Sequence, residues 1–114
     1  VPAGQTPPAW NGFNAGMRAQ KGSAYEGGHR VPCFLHWPAG GLAEGRDVNR
    51  LTAHFDLLPT LVELAGLEFT PKLPLDGRSL APLLRDPGAD WAERTLFVHV
   101  QREEIPPQWR NSAV

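Results

Sequence analysis

A lysine, Lys21, stands in the glycine-punctuated stretch Asn14-Ala-Gly-Met-Arg-Ala-Gln-Lys21-Gly-Ser-Ala-Tyr-Glu26-Gly-Gly-His-Arg30-Val-Pro32. Next to glycine, a compact ammonium can approach an anion closely, because the neighbouring backbone carries no bulk. An unpartnered buried ammonium is costly, so a lysine at a cleft meets a carboxylate or a ligand anion. The competing reading is an ordinary solvated loop lysine, and residue type alone favours it. Glu26 and Arg30 flank Gly27-Gly28 and are expected to ion-pair and brace the loop that carries Lys21, with Arg18 in a similar role.

Other reactive side chains are scattered. His29, His36, His54 and His99 include no pair at metal-ligand spacing. His99, on an expected strand, is a weaker candidate to approach a substrate from the strand end. The lone Cys33 lies in the apolar run Val31 to Trp37 and reads as a buried structural thiol, with no internal disulfide possible. Eleven basic against twelve acidic side chains give a net charge of −1, with no Lys/Arg block, so the composition argues against a nucleic-acid partner. No apolar run is long enough to span a bilayer. Residues 1–8 are neither basic nor apolar enough for a signal peptide. The missing initial Met and the abrupt finish after Trp109-Arg-Asn-Ser suggest that both ends are cuts through a longer protein.

The elements that would position these residues follow from periodicity and punctuation. Residues 1–13 read as loop and residues 14–30, with their glycines, as a structured loop. Val31 to Trp37 has the pattern of a short buried strand. Gly40 to Arg50 reads as a polar turn, and Leu51 to Phe55 as a short strand or an extended approach to a helix. Asp56 to Ala65 predicts a helix: Asp56 as N-cap, Pro59 in the first turn, Gly66 at the C-terminal cap, and Leu58, Leu61, Val62 and Ala65 on one core face. After a Pro71/Pro74 loop, Ser79 to Arg85 predicts a short helix capped by Ser79 with Pro82 in its first turn. Asp86 to Asp90 breaks it. Thr95 to Val100 predicts a buried strand, and Gln101 to Val114 a loop. Strands alternating with short helices indicate an α/β class, with too few elements to complete a sheet.

Three blocks, in order, resemble the later part of the catalytic domain of the sulfatase family, within the alkaline-phosphatase-like superfamily. Lys21-Gly-Ser-Ala-Tyr-Glu-Gly-Gly-His-Arg-Val-Pro is similar to Lys-Gly-x-x-Tyr/Trp-Glu-Gly-Gly-x-Arg-x-Pro. Thr52-Ala-His54-Phe-Asp56-Leu-Leu-Pro-Thr-Leu-Val-Glu-Leu-Ala-Gly66 is similar to His-x-Asp-Leu-Leu-Pro-Thr-Leu-x-Glu-Leu-Ala-Gly. Leu75-Asp-Gly-Arg-Ser79-Leu-Ala-Pro-Leu-Leu is similar to Asp-Gly-x-Ser-Leu-x-Pro-Leu-Leu. The resemblance implies that residues 1–114 are a partial sulfatase catalytic domain, a fragment of an α/β fold. The parent would be a sulfuric ester hydrolase of the arylsulfatase type, acting on a small-molecule or carbohydrate sulfate ester. It implies a formylglycine nucleophile, made from Cys or Ser in a Cys/Ser-x-Pro/Ala-x-Arg motif, and a divalent cation, usually Ca²⁺, on oxygen ligands.

Lys21 matches the family's sulfate-binding lysine, and His54 falls in a block where a supporting role is implied. The nucleophile motif is absent: Cys33 lacks the Arg two positions past a Pro or Ala. Trp10-Asn11-Gly12 has Trp where a metal-binding Asp would stand, so no metal ligand is assigned within the chain. The isolated chain is therefore expected to be inactive. The family's members imply a periplasmic, secreted or lysosomal parent. A phosphodiesterase, phosphonate hydrolase or phosphoethanolamine transferase of the same superfamily, or a non-catalytic remnant of the scaffold, are the alternatives.

Overall fold

In the computed structural model, residues 12–42, 44–99 and 112–114 are described. The chain divides into two units, Val1–Pro32 with Phe97–Val114, and Cys33–Leu96. Of the loops expected at 1–13 and 101–114, residues 1–11 and 101–111 lie outside the described residues, and Ser112–Ala113 forms a strand instead.

In the second unit, the helix expected from Asp56 forms as α2, Leu57–Leu64, entered through a 3-10 turn, His54–Asp56. Its C-terminal end is closed as the sequence suggests. Gly66 takes a φ of 62° and donates its N–H to the Glu63 carbonyl at 3.1 Å, and Leu67 N–H reaches the Val62 carbonyl at 3.0 Å. Those two bonds form the Schellman pattern, which satisfies carbonyls the helix leaves open. Asp56 takes the N-cap position of α2, but its side chain makes no capping bond there, which corrects the expectation. Its Oδ2 reaches back to Ala53 N–H at 2.7 Å, and its Oδ1 accepts Arg78 N–H at 3.0 Å. The Arg94 guanidinium grips the same carboxylate with both terminal nitrogens: Nη1 donates to Oδ1 at 2.8 Å and Nη2 to Oδ2. Arg94 Nη2 also donates to the Leu51 carbonyl at 3.2 Å.

Thr60 makes the second tie. Its hydroxyl donates to the Asp56 carbonyl at 2.6 Å and accepts Leu80 N–H at 2.8 Å. Asp56 and Thr60 are both fully buried. Gly77 completes the junction, since a Cβ there would lie 2.0 Å from the Phe55 carbonyl oxygen. Helix α3, Ala81–Arg85, then packs against α2, with Ala81 and Leu83 fully buried. Burying Leu83 contributes about 1.5–3 kcal/mol. Ser79 Oγ accepts Ala81 N–H at 3.2 Å and Pro82 lies in the first turn, so the predicted start shifts by little. Arg85 closes the far side through Glu63 at 2.9 Å, and Arg46 reaches the Leu84 carbonyl.

Three further expectations are corrected. Helix α2 turns Thr60 inward, and Leu58 and Leu61 are exposed, because the Thr60 bonds to Asp56 and Leu80 fix which face meets the 77–83 segment. Val31 to Trp37 forms no strand, its bridge among the described residues joining Trp37 to Leu42, and Phe34 is 90% exposed. An apolar run forms a strand only where a neighbouring strand takes its N–H and C=O groups, and among the described residues none does. Cys33 is consequently exposed rather than buried. Of the two readings of Leu51 to Phe55, the structure takes the second: no strand forms, and the segment leads into the 3-10 turn that enters α2.

The first unit holds α1, Glu26–His29, where loop was expected, and one antiparallel pair. Strand β1, Val98–His99, pairs with β2, Ser112–Ala113, in the register Val98 to Ala113 and His99 to Ser112. Within the predicted Thr95 to Val100, residues 95–97 form no strand, Val100 lies outside the described residues, and Phe97 is exposed. Among the described residues, three short α-helices and a two-stranded sheet are consistent with a small part of an α/β fold.

Burial alone pushes the Asp56 carboxyl up, but the Arg94 hydrogen bonds, then the Ala53 and Arg78 N–H groups, more than offset it and hold it below its ordinary value. A depressed folded-state value means the carboxylate's contribution is complete above its unfolded value, about 3.9, and is lost as pH falls through the folded value. Urea midpoints measured from pH 7 to pH 3 will therefore fall on acidification below about pH 4, less steeply in Asp56→Asn than in the parent sequence. At neutral pH, Asp56→Ala will lower stability by about 3–5 kcal/mol, because it leaves the mostly buried Arg94 charge without its partner.

Candidate functional site

Lys21 is carried at the tip of a folded-back loop. Residues 20–23 form a turn closed by Ser23 N–H to the Gln20 carbonyl at 3.2 Å. Lys21 is its second residue, and Gly22, the third, has a φ of 92°, the positive value a type II turn needs at that place. Beyond the turn, Ser23 Oγ accepts Tyr25 N–H at 3.0 Å, and α1 follows. The two arms then cross. Gly27 N–H donates to the Arg18 carbonyl at 2.9 Å, and Arg18 lays its guanidinium over the Tyr25 ring, 3.7 Å from the centroid.

The glycine pair is what allows the crossing. A Cβ on Gly27 would sit 2.2 Å from the Ala19 carbonyl oxygen, and one on Gly28 would sit 2.1 Å from that of Ser23. The side chain of Lys21 is exposed and makes no hydrogen bond or ion pair among the described residues. That arrangement offers a rigidly mounted, unneutralised ammonium, able to approach an anion.

The other candidate residues fall as follows. Glu26 opens α1 and Arg30 ends it, but their side chains do not pair; Arg30 N–H donates to the Glu26 carbonyl at 2.9 Å instead. The helical turn, rather than an ion pair, links them, and the bracing comes from Arg18 on Tyr25. His54 lies on the 3-10 turn of the other unit, exposed, its ring edge-to-face with Phe55 at 5.4 Å. His99 is on β1 and exposed. Among the described residues no group of three or more His, Cys, Asp or Glu is placed to hold a metal ion.

Sequence reasoning missed Asn14, Arg78 and Arg94 as organisers. Arg78 belongs to the third block, so the position was marked; Arg94 carried no local signal. Arg78, Arg94, Trp91 and Arg50 line a groove of about 720 Å³ in the Cys33–Leu96 unit. Arg78 stacks on Trp91 at 3.8 Å and donates to the Ala92 carbonyl. Arg94 is neutralised by Asp56, and Asp90 and Glu93 line the same groove against Arg50 and Arg78. Its formal charges therefore balance. Lys21 remains the stronger anion-binding candidate.

Comparison with known proteins agrees with the arrangement of these blocks. The sulfatase family model matches residues 8–67, more than half of the chain, including Lys21 and the Asp56 block. The chain belongs to the sulfatase family. It is 37% identical over 102 residues to the steryl-sulfatase of Mus musculus, covering 90% of this chain and 16% of that protein. Arylsulfatase D of Homo sapiens is 38% identical over 100 residues, 88% of this chain and 16% of the relative. Arylsulfatase A of Homo sapiens is 39% identical over 89 residues, 78% of this chain and 17% of the relative. The chain thus spans about one-sixth of the length of these relatives. No solved structure gives a significant match. Membership carries the alkaline-phosphatase-like α/β fold of the family. No helix among the described residues is long and apolar enough to cross a membrane.

The crossing at Gly27 sets an expected outcome. Gly27→Ala forces the backbone of residues 18–19 away from α1, since all three contacting atoms are backbone. Amide exchange at Gly28 and Arg30, whose N–H groups bond within this turn, will speed up at least tenfold. Gly45→Ala, where a Cβ meets nothing within 4 Å, serves as the control and will leave these rates unchanged.

Proposed function

We propose that this chain is part of a sulfatase catalytic domain and that Lys21 binds the sulfate group of the ester being cleaved. The observation that carries the reading is the mounting of Lys21: an exposed ammonium without a partner among the described residues, on a turn whose arms are locked by glycine-only backbone contacts. The same lysine lies inside the matched family region.

The chemistry asked of Lys21 is electrostatic. Cleaving a sulfate ester concentrates negative charge on the sulfate oxygens and on the departing oxygen. A fixed positive charge aimed at that position stabilises the transition state more than the free ester. When bound, a divalent cation would supply further charge stabilisation and the formylglycine hydrate would supply the nucleophile. The described residues do not fit either group: Cys33 lacks the flanking motif and no acidic or histidine cluster forms. Both groups belong, on this reading, to other parts of a longer protein. His54, Glu26, Arg30 and His99 are proposed in supporting roles only. The substrate class is a sulfate ester, favoured over a phosphate diester or phosphonate because the similar proteins are steryl- and arylsulfatases.

Lys21→Ala in the full-length protein will lower kcat/KM for an aryl sulfate by about 10²–10³-fold, with the thermal midpoint unchanged. Lys21→Arg will recover part of the loss, because it restores the charge without the compact ammonium. The isolated 114 residues will show no turnover of the same ester. Turnover by the isolated chain, or an unaffected Lys21→Ala enzyme, would overturn the reading.

A further inference from the structure

Asn14 has no assigned task, yet it makes the most constrained side-chain contact in the Lys21 loop. Its Nδ2 donates to the Met17 carbonyl at 2.6 Å and to the Ala19 carbonyl at 3.3 Å. Met17 N–H returns to the Asn14 carbonyl at 3.0 Å, closing a turn whose central residues, Ala15 and Gly16, have φ of 55° and 74°. Positive φ at both central positions is the mirror-image turn, and alanine adopts it at a cost. Ala19, two residues before Lys21, is likewise left-handed at a φ of 64°. Left-handed backbone at two alanines persists only where its surroundings over-determine it.

Ala19 is constrained from two sides. Its carbonyl is held on one side by Asn14 and on the other lies against Gly27, where even a Cβ would collide. The arm leading into the Gln20–Ser23 turn is therefore fixed from two directions immediately before Lys21. Both Asn14 partners are carbonyl oxygens, so the group between them must donate twice. An amide nitrogen can; a carboxylate cannot, and would face two oxygens with its own charge.

We propose that Asn14 is a positioning residue for Lys21: by clamping the Met17 and Ala19 carbonyls it fixes the left-handed arm that aims the ammonium at the sulfate group. This rests on the reading of Lys21 as the sulfate-binding residue. A lysine mounted on a loosened arm keeps its charge but not its place, and small misplacements of a catalytic group cost about 10²-fold.

The test is a double-mutant cycle in the full-length protein, with an aryl sulfate as substrate and kcat/KM as readout, alongside the thermal midpoint. Asn14→Asp preserves size and removes the donor; Asn14→Ala provides a second variant should the acidic one fail to fold. Each is expected to lower kcat/KM about 10- to 100-fold. In the Lys21→Ala background the same substitutions are expected to cost less than twofold, because the group they position is already gone. Equal losses in both backgrounds would show a merely structural role and overturn the proposal. Unchanged kcat/KM in Asn14→Asp and Asn14→Ala, with a large loss in Lys21→Ala, would overturn it while leaving the sulfate-binding reading intact. An unaffected Lys21→Ala enzyme would overturn both.

Discussion

The Asp56 carboxylate, with no solvent exposure, is the point on which the Cys33–Leu96 unit depends. It receives hydrogen bonds from Ala53, Arg78 and Arg94, which stand before α2, beyond it and near the end of the unit. A carboxylate taken out of water carries a large desolvation cost, and only a complete set of donors offsets it. That requirement couples distant stretches of chain: none of them can leave without stranding the charge. Few apolar side chains are fully buried here, Leu83 the largest, so polar ties carry an unusual share of the organisation. Thr60 extends the same logic, since one hydroxyl both donates to Asp56 and accepts from Leu80.

Two of the three family blocks are thereby explained as halves of one junction. The Asp-Leu-Leu-Pro-Thr block supplies the carboxylate and the hydroxyl; the Asp-Gly-Arg-Ser-Leu block supplies the N–H groups of Arg78 and Leu80 that they accept. Gly77 belongs to the second block because the Phe55 carbonyl occupies the place of its missing side chain. These motifs are scaffolding. The first block differs in kind: its glycines also permit close backbone approach, but what they mount is an ammonium that the described residues leave free. Family membership is shown by the match over residues 8–67, which takes in the first two blocks, whereas the proposed chemistry rests on the first alone.

The same physical device therefore serves two ends. At Gly77 a missing Cβ lets two elements meet around a buried charge; at Gly27 and Gly28 it lets two arms cross behind an exposed one. A charge that must be neutralised is surrounded by donors, and the charge proposed to meet a ligand is placed at a turn. Asp56 and Lys21 are the two cases.

Local signals determined a good deal by themselves. The extent of α2, its Gly66 cap, the Pro82 start of α3 and the family itself were legible, because caps, proline and glycine act through backbone geometry within a few residues. What the sequence could not decide was which partner each side chain would meet. Asp56 has the right type and place for a helix cap, yet Arg94, 38 residues later, claims it. Leu58 and Leu61 have the right spacing for a core face, yet the Thr60 tie turns them outward. Val31 to Trp37 has a strand's composition, yet a strand exists only when another accepts its hydrogen bonds. Composition determines what a segment is able to form. Long-range hydrogen bonding and burial, which depend on residues far apart in the chain, decide what it does form.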